Sequence, residues 1–213
     1  MKPVIYFDWD GTLCDSMALC VRENRLALEK MGLPVPAEET LRACNGPTYR
    51  EAVPILNIPP ARTEEYCRIR LETVLVILPE VNRMYEGARE MLLALQPHAD
   101  MCIVSNSSME YLQLCLRTFG LEGVFSRVAA AQIGRTKTQN LAALLDEMRP
   151  ERAVMIGDRL GDIAAGADNG LLTIACDYGY GSPAERERAD YHAASVQELA
   201  AMLQRFAAGE PMA

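Results

Sequence analysis

The sequence has no pair of cysteines in a CxxC arrangement, no excess of positive charge and no long apolar run. It contains 21 lysine and arginine residues against 29 aspartate and glutamate residues, for a formal net charge of −8. An acidic surface disfavours nonspecific binding to nucleic acids or anionic membranes, because both attract basic proteins. No apolar run approaches the roughly 18 residues of a membrane-spanning helix. We therefore expect neither nucleic acid nor a membrane as a partner.

The 7 cysteines are scattered along the chain. Zinc sites usually combine cysteine or histidine at close spacing, and neither His98 nor His192 lies near a motif described below. The first apolar block, Val4–Phe7, is too short to be a secretory signal. We therefore expect reduced thiols, packed as small apolar side chains in a cytoplasmic protein.

Short apolar runs alternate with helical patterns, which is typical of a parallel α/β sheet. Helix caps and the 3.6-residue apolar period predict helices over residues 107–120, 136–150 and 195–206. The predicted strands cover residues 3–7, 101–105, 127–130, 153–156 and 171–175, with a weaker one near Tyr191.

The first and second predicted strands are about 95 residues apart, far more than the dozen or so that a crossover needs. Helices over residues 16–31 and 86–96 would suffice for that connection. The helical stretch between them predicts an α-helical cap of residues 33–83, inserted into a Rossmann-like core of residues 1–32 and 84–213. Because the insertion leaves the sheet at the carboxyl end of a strand, where α/β ligand sites lie, we expect it to cover the site.

Carboxylates follow two of the predicted strands. The run VIYFDWDGTL places Asp8 and Asp10 after the first strand, and AVMIGDRLGD places Asp158 and Asp162 after a later one. Neighbouring carboxylates repel each other unless a cation or hydrogen bonds offset the charge. Since parallel strands gather their carboxyl ends at one edge, the four side chains are expected to lie together. Oxygen ligands without imidazole or thiolate favour Mg²⁺ over Ca²⁺ or Zn²⁺.

Two further polar segments follow strands. CIVSNSS ends a strand at Ser105 and Asn106, where a helix begins. Such a start can bind phosphate, although a simple helix cap is the commoner outcome. GRTK places Lys137 at another helix start, where a cation opposes the helix dipole and so indicates a compensating partner. A solvated surface lysine is the alternative, and Arg135 is the alternative cation.

Taken in order, DWDGTL with the following DS, then IVSNSS, GRTK and GDRLGD, resemble the four motifs of the haloacid dehalogenase superfamily of phosphotransferases. The insertion and the segment from DYGYGSPAE onward resemble phosphoglycolate phosphatase-type members. The resemblance implies a Rossmann-like core with a helical cap. It also implies hydrolysis of a small phosphorylated metabolite with Mg²⁺, and phosphoglycolate is the first candidate.

The resemblance also implies catalytic and phosphate-binding roles. Asp8 is expected to attack phosphorus and become an aspartyl phosphate. Asp10 is expected to protonate the leaving alkoxide and then to activate water. Ser105, Asn106 and Lys137 are expected to hold the phosphoryl group.

The metal site is implied in the same way. Mg²⁺ is expected to be held by the carboxylates of Asp8 and Asp158 and by the backbone carbonyl of Asp10. Asp162 and Thr12 are expected to support these ligands without contacting the metal.

Several alternatives remain open. A phosphomutase would pass the phosphoryl group to a sugar, and a pyrophosphatase or nucleotidase would differ in its leaving group. A noncatalytic regulator would only bind a phosphorylated ligand, but binding does not require the intact Asp8 and Asp10 pair. In the insertion, Arg50 is the candidate for substrate contact, with an exposed surface arginine as the favoured alternative. Trp9 is expected to pack in the core.

Overall fold

A computed structural model describes residues 2–212. Its main feature is a six-stranded sheet in the order β5-β4-β1-β6-β7-β8, in which all neighbours are parallel. All predicted strands are present, which confirms the α/β, Rossmann-like architecture. The strands are Val4–Phe7 (β1), Cys14–Asp15 (β2), Arg83–Met84 (β3), Asp100–Val104 (β4), Arg127–Ala129 (β5), Ala153–Gly157 (β6), Leu172–Cys176 (β7) and Tyr191–Ala193 (β8).

The helices cover the faces of the sheet and form the segment between β2 and β3. The predicted helices of the core are confirmed to within a few residues. The helices are Met17–Lys30 (α1), Glu38–Arg42 (α2), Tyr49–Ile55 (α3), Thr63–Val81 (α4), Ala88–Leu95 (α5), Met109–Thr118 (α6), Lys137–Met148 (α7), Leu160–Asp168 (α8), Pro183–Arg186 (α9) and Val196–Ala208 (α10), with a 3-10 turn at Pro60–Arg62.

Strand β1 is central, and its four residues are all buried. Because helices cover both faces of the sheet, a central strand is apolar throughout instead of alternating. Val4 lies opposite both Asp100 on β4 and Ala153 on β6. The residues that follow β1 therefore emerge in the middle of the carboxyl edge, between the residues that follow β4 and β6.

A two-stranded antiparallel ribbon joins the sheet to the helical segment. Cys14 on β2 pairs with Met84 on β3, and Asp15 pairs with Arg83. The chain therefore leaves and re-enters the core at adjacent points. The sequence did not predict this ribbon, because two residues per strand are too few for a periodic signal.

The helical segment has a hydrophobic cluster of its own. Leu41 from α2 and Tyr66 from α4 are fully buried there. Helix α1, which the sequence assigned to the core, contributes Ala27 and Leu28 to this cluster. The division at residues 33 and 83 stays a prediction.

Two expectations about individual side chains are confirmed. All 7 cysteines are free, and each is buried except Cys67, which is half-buried. Trp9 is fully buried, against Phe119 and Phe125. Within residues 2–212, no helix combines the length and apolar character that crossing a membrane requires.

Candidate active site

The carboxyl edge of the sheet forms one wall of a cavity of about 590 Å³. Asp8 follows β1, Ser105 follows β4, and Asp162 lies in the first turn of α8 after β6. The helical segment forms the facing wall with Ser16, Cys20, Glu23, Cys44, Asn45, Tyr49 and Arg70. Most of the sequence-predicted residues therefore line one cavity, whereas Asp158 and Thr12 are not among its lining residues.

Lys137 links two carboxylates of this wall. Its ammonium donates to Oδ1 of Asp8 at 2.8 Å and to Oδ1 of Asp162 at 2.6 Å. The side chain is directed inward because Thr136 caps α7 through a capping box with Gln139, which makes Lys137 the first helical residue. Burial alone lowers the pKa of Lys137, but its contacts with Asp162 and Asp8 raise it overall. The predicted compensating partner of this lysine is therefore present, and Lys137 is a cation at neutral pH.

Asp162 and Asp158 are held by backbone amides. Oδ2 of Asp162 accepts from the amides of Asp158 and Arg159, at 3.1 and 2.9 Å. Oδ2 of Asp158 accepts from the amides of Tyr180 and Gly181, at 2.7 and 3.2 Å. Oδ1 of Asp158 is buried and has no hydrogen-bond partner within the described chain. Asp162 is thus saturated by protein donors, whereas Asp158 has one oxygen left over.

Gly11 allows this close packing. A Cβ at Gly11 would lie 2.5 Å from Oδ2 of Asp158, and its backbone has a φ of +88°. Both the space and the left-handed backbone therefore require glycine in the turn that follows Asp10.

The acidic cluster carries more negative charge than Lys137 neutralises. Burial raises the pKa of Asp8 well above its usual range, and repulsion from Asp162 and Asp158 adds to the rise, while Lys137 opposes it. Burial and the charge of Asp162 likewise raise the pKa of Asp158 to about 6. A bound cation would reverse both shifts, since it favours the ionised carboxylates.

The residues present fit a divalent cation. One oxygen each from Asp8, Asp158 and Asp162 lie within 4.8 Å of one another. Buried carboxylate oxygens are the ligands that Mg²⁺ prefers. The unpartnered Oδ1 of Asp158 is the strongest single indication, because a buried charged oxygen normally has a partner.

The fourth predicted carboxylate, Asp10, lies apart from this cluster. Its Oδ2 accepts from the hydroxyl of Ser107 at 2.7 Å, and its Oδ1 accepts from the hydroxyl of Tyr111 at 2.6 Å. Neither partner was predicted from the sequence, although Tyr111 lies four residues after Ser107 and so near the same face of a helix start. Asp8 and Asp10 therefore line one cavity but occupy different environments.

The other predicted residues differ in their placement. Ser105 lines the cavity, and its Oγ accepts from the amide of Ser107 at 3.1 Å. Asn106 also lines the cavity, but its side-chain amide donates to the carbonyl of Gly46 at 3.1 Å. Thr12 is fully buried, and its hydroxyl has no partner among the described residues.

Neither Arg135 nor Arg50 is among the residues that line the cavity. Arg135 is exposed, and it donates to the carbonyl of Gln139 at 2.9 Å. Arg50 pairs with Glu64 at 2.7 Å on the exposed surface, as the alternative interpretation predicted. The insertion does place an arginine at the cavity, but that residue is Arg70.

Arg70 and Glu23 form a buried ion pair that the sequence analysis missed. Nε of Arg70 donates to Oε1 of Glu23 at 2.7 Å, and both side chains are only 5% exposed. A signal was present, because Glu23 and Asn24 interrupt the apolar face of α1 between Cys20 and Ala27. Charged residues in such a stripe are rarely buried without a partner.

A protein-family model described as haloacid dehalogenase-like hydrolase matches residues 5–176. The tyrosine-protein kinase PtkA of Mycobacterium tuberculosis is 30% identical over 212 residues, which cover 92% of this chain and 70% of that protein. A 5'-nucleotidase of Pseudomonas aeruginosa is 29% identical, over 86% of each chain. A phosphoglycolate phosphatase of Psychrobacter arcticus is 28% identical, over 84% of this chain and 85% of that protein.

The fold is also shared with solved structures. A haloacid dehalogenase-like family hydrolase from Streptococcus pneumoniae superposes with a TM-score of 0.82 at 20% identity. The superposition covers 92% of this chain and 95% of that chain. The likeness therefore extends across the sheet and the inserted helices.

Proposed function

The chain belongs to the haloacid dehalogenase-like hydrolases, and on that premise we propose that it is a Mg²⁺-dependent phosphatase that forms an aspartyl phosphate on Asp8. Its substrate is a small phosphate monoester, because the reacting carboxylate lies in a cavity that the helical segment walls on one side. The relatives of this chain that are named a phosphoglycolate phosphatase and a 5'-nucleotidase support this reaction class. The free cysteines suit a reducing compartment, and we place the enzyme in the cytoplasm.

One observation carries the proposal. Asp8 is buried beside a cation, Lys137, and one of its oxygens lies within 4.8 Å of an oxygen of Asp158, whose Oδ1 has no partner within residues 2–212. A nucleophilic carboxylate next to a fixed cation is suited to attack on a phosphoryl group, whose oxygens require positive charge around them. A binding protein would have no need for such a nucleophile.

The reaction has two steps. An oxygen of Asp8 forms a bond to phosphorus while the bond from phosphorus to the ester oxygen breaks, and Asp10 gives its proton to the departing oxygen. A water molecule then loses a proton to Asp10 and attacks the same phosphorus, which releases phosphate and restores Asp8. Hydrolysis of such esters requires accelerations of up to about 10²¹-fold. One general acid supplies only about 10² to 10⁴ of this, so covalent catalysis and electrostatics must act with it.

The remaining side chains bind and orient the phosphoryl group. Lys137 supplies charge, Ser105 supplies a hydroxyl at the start of the segment after β4, and Asn106 lies beside it in the same cavity. Asp162 keeps Lys137 and the backbone before α8 in place through its three hydrogen bonds.

The metal fits the same residues. Asp8, Asp158 and the Asp10 carbonyl would hold Mg²⁺, while Asp162 and the buried Thr12 support the turn around it. When bound, Mg²⁺ stabilises negative charge on the phosphoryl oxygens. The raised pKa values of Asp8 and Asp158 indicate that this acidic cluster accommodates additional positive charge.

The decisive experiment is phosphate release from p-nitrophenyl phosphate by the wild type and by Asp8→Asn, with Mg²⁺ and with EDTA. We expect turnover that requires Mg²⁺ and is lost in the variant. Quenching with acid during turnover should trap a protein that is phosphorylated on Asp8. A fully active Asp8→Asn variant would refute the aspartyl phosphate.

A second candidate follows from the relative named a tyrosine-protein kinase. Such an enzyme transfers a phosphoryl group to tyrosine instead of water. Incubation with ATP labelled at the γ-phosphate separates the two, because label in free phosphate supports the phosphatase. Acid-stable and base-stable label on tyrosine would support the kinase.

A further inference from the structure

The wall of the cavity that faces Asp8 is built around a charge pair. Glu23 on α1 and Arg70 on α4 are both buried, and both line the cavity. Nε of the Arg70 guanidinium donates to Oε1 of Glu23, and a terminal nitrogen of the guanidinium forms an ion pair with the same oxygen. Oε2 of Glu23 receives no hydrogen bond from the described residues, so an acceptor remains for a bound molecule.

The pair is fixed by its surroundings. The guanidinium carbon of Arg70 lies 4.0 Å above the ring of Tyr49, and another of its nitrogens donates to the hydroxyl of Tyr66 at 3.3 Å. The hydroxyl of Tyr66 in turn donates to Oδ1 of Asn24. Side chains locked in this way bind a ligand without a further loss of rotamer entropy.

Each cation of the cavity has at least one partner. Among the described lining residues, Lys137 pairs with Asp8 and Asp162, and Arg70 pairs with Glu23. Arg159 lies 3.6 Å from Glu185 and donates to the carbonyl of Asn45 at 3.1 Å. Among the buried nitrogens of these described cations, only Nε of Arg159 lacks a hydrogen-bond partner, so a carboxylate on the far end of a substrate would meet the charge of Glu23 on this wall with few free donors to offset it.

We propose that the Glu23–Arg70 pair selects a phosphate monoester whose leaving group is uncharged and carries several hydroxyls. A hydroxyl can donate to Oε2 of Glu23 and accept from an N–H of Arg70, whereas a carboxylate can only accept. The substrate is accordingly a sugar or polyol phosphate, or a nucleotide read at its ribose, and not phosphoglycolate. This inference rests on the proposed phosphatase activity.

The size of the cavity supports this class. Its volume of about 590 Å³ is within the range of roughly 300 to 1,000 Å³ that accommodates drug-sized ligands. A two-carbon leaving group fills little of that space, and it extends only a short distance from phosphorus. A sugar-sized group carries more hydroxyls and extends farther toward the wall that carries Glu23.

Pairs of phosphate esters that differ only in a hydroxymethyl group against a carboxylate test this substrate preference with the wild-type enzyme. Glycerol 3-phosphate and 3-phosphoglycerate share a skeleton and differ in a hydroxymethyl group against a carboxylate. The same exchange relates 2-hydroxyethyl phosphate to phosphoglycolate. We expect kcat/KM to favour the hydroxyl member of each pair by at least about tenfold, since a site that hydrogen-bonds a hydroxyl discriminates strongly. Equal values, or a preference for the carboxylates, would overturn the proposal and indicate Arg159 as the recognition group.

Ribose 5-phosphate and adenosine 5'-monophosphate then distinguish the two sources of hydroxyls. A higher kcat/KM for ribose 5-phosphate indicates that the substrate is a free sugar phosphate. A higher kcat/KM for adenosine 5'-monophosphate indicates that it is a nucleotide. Rates for both below that of phosphoglycolate would count against the proposal.

The Glu23→Gln variant tests the residue itself. We expect KM for glycerol 3-phosphate to rise and the ratio of its kcat/KM to that of 3-phosphoglycerate to fall at least about tenfold. Glu64→Gln is the matched control, because Glu64 also pairs with an arginine of the helical segment but on the exposed surface. An unchanged ratio in Glu23→Gln would refute the assignment.

The proposal can still be tested if the Glu23→Gln variant does not fold or if the wild type is inactive. If Glu23→Gln does not fold because Arg70 is left unpaired, the double variant Glu23→Gln/Arg70→Gln keeps the wall neutral and should show the same fall in ratio. If the wild type does not hydrolyse p-nitrophenyl phosphate, the proposed function fails. The selection is then measured by calorimetric binding of glycerol 3-phosphate and 3-phosphoglycerate, and tighter or equal binding of the carboxylate would refute it.

Discussion

The hydroxyl of Tyr111 donates a hydrogen bond of 2.6 Å to Oδ1 of Asp10. Ser107 donates to the other oxygen, so both acceptors of Asp10 are held by neutral hydroxyls. Asp8, in contrast, is held by the ammonium of Lys137. Two carboxylates in one cavity that have such different partners are suited to different roles, one as a nucleophile and one as a proton carrier.

Tyr111→Phe should therefore weaken proton transfer more than phosphoryl transfer. We expect kcat for an alkyl phosphate to fall about tenfold, which is part of the roughly 10² to 10⁴ that general acid catalysis supplies. The fall for p-nitrophenyl phosphate should be smaller, because p-nitrophenolate departs without a proton. Steady-state kinetics on both esters measures the difference. Tyr191→Phe, in β8, is the control, and equal losses on both esters in Tyr111→Phe would argue against this role for Asp10.

Mg²⁺ should raise the melting temperature of the wild type, because it binds the acidic cluster only in the folded state. At a free concentration of about 100 times its Kd, one bound ion stabilises the fold by about 2.7 kcal/mol. Asp158→Asn removes the oxygen that has no partner in the described structure and should abolish the rise. Scanning calorimetry with Mg²⁺ and with EDTA measures it, and Asp146→Asn on the exposed side of α7 is the control. If Mg²⁺ raises the melting temperature of Asp158→Asn as much as that of the wild type, the ion binds elsewhere.

Asn106→Ala should loosen the turn at Gly46 in the helical segment. Asn106 donates to the Gly46 carbonyl at 3.1 Å, and loss of one hydrogen bond costs about 0.5 to 1.5 kcal/mol. We expect amide exchange across residues 43–51 to accelerate by up to about tenfold, which peptide-level hydrogen exchange detects. Unchanged exchange together with weaker inhibition by inorganic phosphate would instead support the predicted phosphate contact of Asn106.

Glu23 should make stability depend on pH. Burial raises the pKa of Glu23 to about 7, although Arg70 opposes the rise. Because the folded state then holds a proton that the unfolded state has lost, stability falls as the pH rises from about 4.5 to about 7, by at most about 1.4 kcal/mol per pH unit.

The comparison with Glu23→Gln isolates this effect. The difference in free energy of unfolding between wild type and variant should fall over the same pH range, since all other titrating groups are common to both. Urea denaturation at several pH values measures the difference. A difference that does not change between pH 5 and pH 8 would show that Glu23 stays ionised throughout.

The sequence predicted the strands and the residues at the carboxyl edge of the sheet because both depend on local pattern. Residues that directly follow buried strands must emerge at the carboxyl edge of a parallel sheet, and Asp8, Ser105 and Asp158 do so. Lys137 was identified in the same way, from its position at the start of a helix.

The sequence predicted that the helical insertion would cover the site, but it did not predict which side chains form the facing wall, because that depends on how helices distant in the sequence pack together. Glu23 and Arg70 meet only where α1 contacts α4, and periodicity identifies a helix face without identifying its partner. Arg50, the candidate from the sequence, lies on the outer face of α3 and pairs with Glu64. The direction of the Asn106 side chain was equally unpredictable, since Gly46 approaches it only through the turn before α3.

The position of β1 in the sheet has a consequence for how the protein is made. Strands β4 and β6 flank β1, since Val4 lies opposite Asp100 and Ala153. Both strands come later in the chain, so β1 is synthesised before either of them. During translation, this apolar strand therefore has two open edges, the kind of surface that favours aggregation and recruits chaperones. A nascent chain that stops before β6 lacks Asp158 and Asp162 and cannot assemble the acidic cluster. Truncated products should thus be inert, and activity should appear only late in synthesis.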